Sequence, residues 1–400
     1  MELDSLFFAS YQQIQQTKTD FIRYLYNKIN WDSRLIGITG ARGAGKSTLI
    51  RQYIKNTFGN VPQKALYASL DHIWFASNTL YELGEEFVKQ GGEYLLLDEV
   101  HKYPTWSREI KNLYDVFPQL KIVFTGSSML EIYRGNADLS RRAIHYELFG
   151  LSFREYLIFE KKIDIQALKL SDLLKKHTEI ASTINEKIKP LPLFNNYLRN
   201  GYYPYYKEDA SLYFVKLMNI LNVVIEMDLP AIEKIEFYSI HKIKKLLSAL
   251  AAMVPVAPNI TALSGQLEVS RNSLLNYLHI LDKAQIISSL SADATGFRTL
   301  TKPEKIYLNN TNLIYALENN KPDIGNLRET FFFNQLKVVS KVTSSQQTDF
   351  TIDGKYQFEV GGKNKGHEQI VGVKNAYLAL DNVEYSFGNK IPLWLFGFLY

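Results

Sequence analysis

Apolar and polar positions follow two different periods in the N-terminal part of the chain. Four apolar runs have the length and composition of strands that are buried on both faces, as in parallel sheets. These runs occupy residues 34–39, 64–70, 94–97 and 121–124. Around them, apolar side chains recur every three or four residues, as on one face of a helix. These helical stretches occupy residues 5–30, 47–57 and 80–90. The pattern predicts an α/β domain built on a parallel sheet.

The middle of the chain is predicted to be helical. With 400 residues the chain is too long for one compact core, so two to four domains are expected. A charged helix over residues 161–188 is broken by the prolines of residues 190–192, and an apolar helix over residues 210–229 follows. We predict an α/β domain over residues 1–157 and a helical lid or connector over residues 158–239.

Residues 240–300 have the pattern of a winged helix-turn-helix. Three helical segments and a strand are predicted at residues 240–251, 259–263, 270–281 and 286–290. The second helix of such a motif can lie in the major groove of DNA. Its outward polar side chains are predicted to be Arg271, Asn272, Asn276 and His279. Because this surface is barely basic and begins at Glu268, DNA binding and protein contacts are both left open.

Residues 301–400 are predicted to form a last α/β domain. The strands are expected at residues 305–308, 348–352 and 356–360, and the helices at residues 311–318 and 326–339. Asp353-Gly354 between two alternating strands is a strong hairpin signal. A two-residue turn pairs Asp349 with Phe358, whereas a three-residue loop pairs Asp349 with Glu359. Only the second register places the two carboxylates opposite each other on one face.

The stretch LIGITGARGAGKSTLI at residues 35–50 carries a phosphate-binding signature. Gly40, Gly45, Lys46 and Ser47 have the spacing G-x-x-x-x-G-K-[ST]. Glycines let the backbone turn its amides toward phosphate oxygens, and the following helix adds its positive dipole end. Lys46 is expected to contact the β- and γ-phosphates, and the Ser47 hydroxyl to bind Mg²⁺. The predicted nucleotide-binding residues are Gly40, Ala41, Arg42, Gly43, Ala44, Gly45, Lys46, Ser47 and Thr48.

Two carboxylates, Asp98 and Glu99, follow the apolar run at residues 94–97. Ligands of open α/β sheets gather at the carboxyl ends of the strands, so both side chains are expected near the phosphate loop. Asp98 is predicted to join the Mg²⁺ shell, and Glu99 to polarise the attacking water as a general base. Acidic residues also commonly open loops, so the pair is informative only because a phosphate loop precedes it.

Composition excludes several other chemistries. The chain has 46% hydrophobic and 22% charged residues, as ordinary globular proteins do, and its net charge of +5 is too mild to imply nucleic acid by itself. It contains no cysteine, which excludes disulfides, thiolate catalysis and cysteine-bound zinc. The N-terminus lacks the basic start of a signal peptide, and no apolar run approaches the roughly 20 residues of a membrane helix. We therefore expect a cytoplasmic protein with no membrane partner.

The motifs together resemble a group of AAA+-type ATPases that is widespread in bacteria and archaea. The resemblance rests on GARGAGKST, LLLDEVHKYPTWSREIKNLYD, KIVFTGSS, DLSRR and LSFREYL, in this order. It implies ATP as the nucleotide and an AAA+/ASCE-type sheet, in which one strand separates the phosphate-loop strand from the Asp-Glu strand. It also implies that residues 125–128 form a sensor segment, with Ser127 placed for catalysis. A serine cap on the next helix is the alternative role of these hydroxyls.

The resemblance also implies an arginine finger, which stabilises charge on a transferring phosphoryl group. The family usually has Ser-Gly-Arg where this chain has Ser140-Arg141-Arg142. Arg142 is the better match, and Arg141 replaces a glycine. The sequence leaves open whether Arg142 acts in its own site or in that of a neighbour, and therefore also leaves a homo-oligomer open.

The C-terminal domain resembles the PD-(D/E)xK nuclease-like domain that often follows this ATPase. Such a site holds Mg²⁺ with acidic side chains and activates water. The acids match in the order Glu329, Asp349 and Glu359. The lysine does not match, because Gly361 occupies its position and Lys363 or Lys365 would have to substitute. Without a charge stabiliser in that position, we expect a degenerate nuclease fold that no longer cleaves.

Three functions follow from these predictions. The leading hypothesis is an ATPase whose Mg²⁺-dependent hydrolysis drives a conformational change in the attached helical, winged-helix and nuclease-like domains. The second is a DNA-binding regulator that uses ATP only as a ligand. The third is an Mg²⁺-dependent nuclease gated by the ATPase.

Overall fold

The structure of the protein is a computed structural model that describes residues 2–126, 139, 141–230, 237–292, 302–317, 322–366 and 368–400. The chain divides into two units, Met1–Phe149 and Gly150–Tyr400. Each unit contains its own five-stranded sheet. None of the helices described is both long enough and apolar enough to cross a membrane.

Five parallel strands form the sheet of the first unit. They are β1 (Leu35–Thr39), β2 (Ala65–Ser69), β3 (Tyr94–Asp98), β4 (Lys121–Thr125) and β5 (Ile144–Glu147). Their order is β2-β3-β4-β1-β5, and every neighbouring pair is parallel. β4 therefore separates β1, which leads into the phosphate loop, from β3, which ends at Asp98. This arrangement confirms the predicted P-loop NTPase sheet.

Helices cover both faces of this sheet. They are α1 (Glu2–Gln16), α2 (Lys46–Phe58), α3 (Leu80–Lys89) and α4 (Trp106–Val116). Successive strand residues point to opposite faces. Leu95 and Leu97 of β3 accordingly pack in one apolar cluster with residues of α3 and α4, whereas Leu96 packs in a second cluster with residues of α2. β1 to β4 are largely apolar because both of their faces are buried, whereas β5 is more exposed and more polar.

The second unit begins with a helical region that ends in a helix pair and a hairpin. Its helices are α5 (Phe153–Phe159), α6 (Leu170–Asn185), α7 (Pro190–Asn200), α8 (Tyr213–Val223), α9 (Phe237–Ala251), α10 (Ile260–Leu267) and α11 (Arg271–Lys283). The charged helix predicted from residue 161 starts only at Leu170. Pro190 is the first residue of α7, a position at which proline lacks no needed hydrogen bond.

The two strands that follow α11 pair with each other. β6 (Ile287–Leu290) and β7 (Lys305–Leu308) are antiparallel. The sequence prediction placed residues 305–308 in the last domain, but their backbone hydrogen bonds join them to the strand after α11. The observed order is therefore helix, turn, helix and hairpin.

The second sheet combines an antiparallel and a parallel half. Two helices precede the sheet in the chain, α12 (Thr311–Leu317) and α13 (Ile324–Leu336). The strands of the sheet are β8 (Val342–Ser344), β9 (Phe350–Ile352), β10 (Tyr356–Gly362), β11 (Ala376–Asp381) and β12 (Lys390–Pro392). The strand order is β12-β11-β10-β9-β8. β8, β9 and β10 are antiparallel, and β10, β11 and β12 are parallel. Phe332 of α13 packs on the sheet, with ring centroids 5.2 Å from Phe350 and 5.1 Å from Phe358.

The hairpin between β9 and β10 has a three-residue loop. Ile352 pairs with Tyr356 and Phe350 pairs with Phe358. Extending this register by one residue places Asp349 opposite Glu359. The structure therefore adopts the register that brings the two carboxylates to the same face of the hairpin.

Candidate nucleotide-binding site

The phosphate loop has the strained backbone that its glycines predict. β1 is buried along its whole length, and the chain turns at Gly40 and Gly45, whose φ angles are +146° and +99°. A Cβ at Gly40 would lie 2.1 Å from the carbonyl oxygen of Leu148. Only glycine fits there, since it has no side chain and tolerates positive φ. α2 begins at Lys46, as predicted, and Gly45 before it carries no side chain that would cap the helix amides.

Lys46 lies within this loop rather than on the surface. Its side chain is 5% exposed, and its Nζ donates hydrogen bonds to the carbonyl oxygens of Gly40 at 2.8 Å and Ala41 at 2.9 Å. These contacts hold an ammonium group beside the first turn of α2, whose amides and dipole favour an anion. The loop therefore has the electrostatics of a phosphate site.

The other predicted loop residues differ in exposure. Ala41 and Ala44 are buried, Ser47 is half-buried and Thr48 is exposed. The remaining members are half-buried, namely Arg42, Gly43 and Gly45. Of these two hydroxyl-bearing residues, Ser47 is thus the less exposed.

The carboxylate of Asp98 is buried and receives three hydrogen bonds. Only 3% of the residue is exposed, at the carboxyl end of β3. Tyr67 donates its hydroxyl to Oδ2 at 2.7 Å, while Thr125 donates its hydroxyl and Glu99 donates its amide, at 3.1 Å, to Oδ1. Burial, followed by the adjacent carboxylate, raises the pKa of Tyr67, so this phenol remains a protonated donor. The two oxygens of Asp98 are therefore held in one orientation.

Glu99 follows Asp98 in an unusual backbone conformation. Its φ is +53°, in the left-handed region that is uncommon for residues other than glycine. Its Oε2 lies 3.3 Å from Nε2 of His101, and its side chain is partly exposed. Such backbone outliers occur preferentially at functional sites.

The sheet places these groups at one edge. β1, β4 and β3 are neighbouring parallel strands, and the register pairs Ile38 with Thr125 and Leu97 with Phe124. The phosphate loop, Thr125 and Asp98-Glu99 therefore all follow the carboxyl ends of adjacent strands. In open α/β sheets this is the edge at which ligands bind.

Arg142 lies near the amino ends of the strands, whereas the phosphate loop lies at their carboxyl ends. It precedes β5, which runs parallel to β1 with Glu147 beside Thr39. Its Nε lies 3.0 Å from Oδ1 of Asp115 and its Nη2 lies 3.1 Å from Oδ2, close to the end of α4. Since the five residues of β1 span about 16 Å, the guanidinium is far from the phosphate loop of its own chain.

The sensor segment predicted at residues 125–128 is only partly described. Thr125 is fully buried and bonded to Asp98. Ser127 and Ser128 lie outside the described residues, as does Ser140. The catalytic role predicted for Ser127 thus remains a prediction.

In the second unit, two of the three predicted acids are paired with lysines. Glu329 on α13 accepts hydrogen bonds from Nζ of Lys305 at 2.5 Å and from the hydroxyl of Tyr307 at 2.9 Å. Oε1 of Glu359 is 2.7 Å from Nζ of Lys365. These ion pairs compensate the charge of both carboxylates.

Asp349 completes this group of acids. Its Oδ2 accepts a hydrogen bond from the amide of Val360 at 2.9 Å. Burial raises its pKa to about 6, and the charges of Glu329 and Glu359 act in the same direction. Within the described part of the chain, no three His, Cys, Asp or Glu side chains are arranged to hold a metal ion.

Lys365 occupies the space in which the nuclease pattern expects a lysine. A Cβ built on Gly361 would lie 2.8 Å from Cγ of Lys365 and 2.9 Å from its Cβ. Lys363 is exposed. Of the two candidate substitutes, only Lys365 therefore reaches the acids.

The helix pair α10 and α11 exposes part of the predicted polar surface. Arg271, Asn272 and Asn276 are exposed, and His279 is half-buried. Glu268 lies in the turn before α11, and its Oε2 is 3.3 Å from Nζ of Lys242. The start of α11 is therefore accessible to a partner.

Comparison with known proteins agrees with the geometry of the first unit. Residues 32–157 match the family described as an AAA domain. Residues 191–324 match a family described as a domain of unknown function, DUF8612. The first match and the five-stranded parallel sheet together support a P-loop NTPase fold.

Related proteins cover much of the same chain. The uncharacterized protein MJ1637 of Methanocaldococcus jannaschii is 29% identical over 289 residues, which are 69% of this chain and 61% of the relative. This chain thus spans less than two thirds of that protein.

Solved structures show more distant similarity. The Walker-type ATPase PABY2304 of Pyrococcus abyssi is 13% identical with a TM-score of 0.39, over 72% of this chain and 91% of that chain. AMPPCP-bound DnaA from Aquifex aeolicus is 13% identical with a TM-score of 0.26, over 69% of this chain and 87% of that chain.

Two residues of the first unit make contacts that the sequence pattern does not indicate. Tyr67 is one apolar member of a strand pattern, and nothing in that pattern indicates its contact with Asp98. Arg23 is 5% exposed and donates to the carbonyl oxygens of Ala44, in the phosphate loop, and of Phe149, the latter at 2.7 Å. An arginine within a helical stretch ordinarily predicts a solvated side chain, so no local signal identifies this contact.

Proposed function

We propose that the protein binds ATP and hydrolyses it in an Mg²⁺-dependent reaction. The observation that carries this proposal is the common edge of β1, β4 and β3, where the loop of Lys46 and the Asp98-Glu99 pair both lie. The AAA domain match supports nucleotide binding at that edge. The Asp98-Glu99 pair would be uninformative without the phosphate loop, and the sheet order brings the two to the same ends of neighbouring strands.

The residues present fit an ATP–Mg²⁺ complex. The loop amides and the Lys46 ammonium would hold the β- and γ-phosphates, and Ser47 and Asp98 would hold the metal. When bound, Mg²⁺ would supply positive charge that offsets the negative charge developing on the transferred phosphoryl group. Glu99 would accept a proton from the attacking water as the water oxygen bonds to the γ-phosphorus, while the bond from that phosphorus to the β–γ bridging oxygen breaks and ADP leaves.

We further propose that the nucleotide state changes the attached domains. Leu148 donates its amide to the carbonyl oxygen of Thr39 at 2.8 Å, directly before the phosphate loop. The second unit begins two residues later, at Gly150. A shift of the loop would therefore move the chain segment that leads into that unit.

The test of hydrolysis is Glu99→Gln, with Glu85→Gln on α3 as the matched control. Phosphate release should fall at least 100-fold in Glu99→Gln, because an amide is a poor base. Binding of a fluorescent ATP analogue should stay within about twofold of the parent, since the phosphate loop is unchanged. A Glu99→Gln protein that hydrolyses ATP like the parent would contradict the assigned base.

A DNA-binding regulator with ATP only as its ligand is the second candidate. The exposed start of α11, with Arg271, Asn272 and Asn276, favours it. It predicts negligible ATP turnover with or without DNA, and DNA binding that weakens steeply with salt. Arg271→Ala should then weaken DNA binding about tenfold, whereas Lys187→Ala, at an exposed lysine outside these helices, should not.

A further inference from the structure

Tyr67 reaches Asp98 from the neighbouring strand. In the parallel pair of β2 and β3, Tyr67 pairs with Leu96 and Ser69 pairs with Asp98. Residues two apart in a strand share a face, so Tyr67 and Asp98 point to the same side of the sheet. The Tyr67 hydroxyl spans the two-residue offset and donates to Oδ2 at 2.7 Å.

This hydrogen bond acts on an oxygen different from the one held by the other donors. Thr125 and the Glu99 amide both donate to Oδ1. Removing the Tyr67 hydroxyl would take away its bond to Oδ2, while Oδ1 would keep its two. The carboxylate plane would then be held through Oδ1 alone and its orientation less tightly restricted, and a buried acceptor that loses a donor is destabilised.

Tyr67 also lies between the two residues assigned to the metal. Nε of Arg51 donates to the carbonyl oxygen of Ser47 at 3.1 Å, and its guanidinium carbon lies 5.5 Å from the Tyr67 ring centroid. A continuous set of contacts therefore runs from Ser47 through Arg51 and Tyr67 to Asp98. Tyr67 is held on its other side by Ser10, whose Oγ accepts its backbone amide at 3.1 Å.

We propose that Tyr67 is a positioning residue that orients Asp98 for Mg²⁺ and thereby sets the metal affinity of the nucleotide complex. The inference rests on the proposed nucleotide site, because Asp98 binds metal only in that role. A fixed carboxylate binds a cation without first losing rotational freedom, so the contribution appears in metal affinity and not in the affinity for metal-free ATP.

The experiment compares Tyr67→Phe with Tyr53→Phe. Both variants lose a buried phenol hydroxyl, but Tyr53 lies on α2, stacked on Trp31. Mn²⁺ binding to protein saturated with AMPPCP is measured by electron paramagnetic resonance. We expect Tyr67→Phe to bind Mn²⁺ about tenfold more weakly than the parent, and Tyr53→Phe to stay within twofold. Binding of AMPPCP in the presence of EDTA should be the same in all three proteins.

Equal Mn²⁺ affinity in the parent and Tyr67→Phe would overturn the proposal, as would an equal loss of metal-free AMPPCP binding. Should Tyr67→Phe fail to fold, Thr125→Val removes the donor to Oδ1, and unchanged Mn²⁺ affinity in that variant would overturn the positioning of Asp98. A parent that binds Mn²⁺ with AMPPCP but does not turn over ATP would refute the proposed hydrolysis alone. A tenfold loss in Tyr67→Phe would then still support Tyr67.

Discussion

The ammonium nitrogen of Lys365 lies 2.7 Å from Oε1 of Glu359, and its side-chain carbons fill the space beside Gly361. A lysine four residues further along the chain thus stands where the nuclease pattern expects one at residue 361. Its partner, Glu359, is one of the acids that a nuclease site of this pattern would use to bind a metal ion. Lys305 engages Glu329 in the same way. Lys365 therefore supplies the positive charge that the sequence left missing at residue 361. Two of the three acids are nevertheless compensated by lysines, and within the described residues no three acidic or histidine side chains are arranged to hold a metal ion.

We accordingly expect no cleavage by the second unit. Supercoiled plasmid incubated with the protein, Mg²⁺ and ATP should stay intact, because two of the three acids are paired with lysines. The Glu359→Ala variant serves as the control, and its lane should be identical on an agarose gel. Metal-dependent nicking by the parent that disappears in Glu359→Ala would show that the site is active.

The raised pKa of Asp349 makes stability depend on pH. Its ordinary value is 3.8 and its value in the folded protein is about 6. The folded state therefore favours the protonated acid, so its contribution is fully present below pH 3.8 and is lost as the pH rises through about 6. Asp349→Asn should raise the free energy of unfolding at pH 7.5 by up to about 3 kcal/mol relative to the parent.

That difference should vanish near pH 4, and urea unfolding at both pH values measures it. Asp164→Asn, at an exposed position, is the control and should change little at either pH. An Asp349→Asn variant with the same advantage at pH 4 and pH 7.5 would mean that packing, and not ionisation, explains the effect.

The position of Arg142 predicts its behaviour in kinetics. Its guanidinium is bonded to Asp115 at the sheet edge away from the phosphate loop. At concentrations where light scattering shows a monomer, Arg142→Ala should therefore hydrolyse ATP within twofold of the parent. Arg141→Ala serves as the comparison. A tenfold loss in the monomeric protein would mean that Arg142 reaches its own site in another conformation.

Arg23 should be important for stability because it serves two buried carbonyl groups. Arg23→Gln would leave the oxygens of Ala44 and Phe149 without the guanidinium, and each lost donor costs about 1–3 kcal/mol. We expect the free energy of unfolding to fall by about 2–4 kcal/mol, and ATP binding to weaken because Ala44 belongs to the loop. Chemical denaturation and an ATP titration check both effects. If Arg108→Gln, at an exposed arginine of α4, were equally damaging, the role assigned to Arg23 would be wrong.

Local chemistry let the sequence predict the first unit well. The strand runs, the start of α2 at Lys46 and the turn at Gly40 are each set by neighbouring residues, since apolar period and backbone freedom are local properties. The family resemblance supplied the single strand between the phosphate-loop strand and the Asp-Glu strand, and the observed sheet has β4 in that place. The second unit was less predictable. Residues 305–308 have a strand pattern, but that pattern does not specify a partner strand, and they pair with β6 in the folded unit.

By itself, then, the sequence determined which residues form the phosphate loop, where Asp98-Glu99 ends a buried strand and which acids occur in the C-terminal region. The tertiary structure alone decided that Tyr67 holds Asp98, that Arg142 lies at the far edge of the sheet and that Lys365 reaches Glu359. The physical reason is distance along the chain. Strand order, hairpin register and side-chain reach join residues far apart in sequence, and their positions follow from the packing of the whole unit rather than from any local pattern.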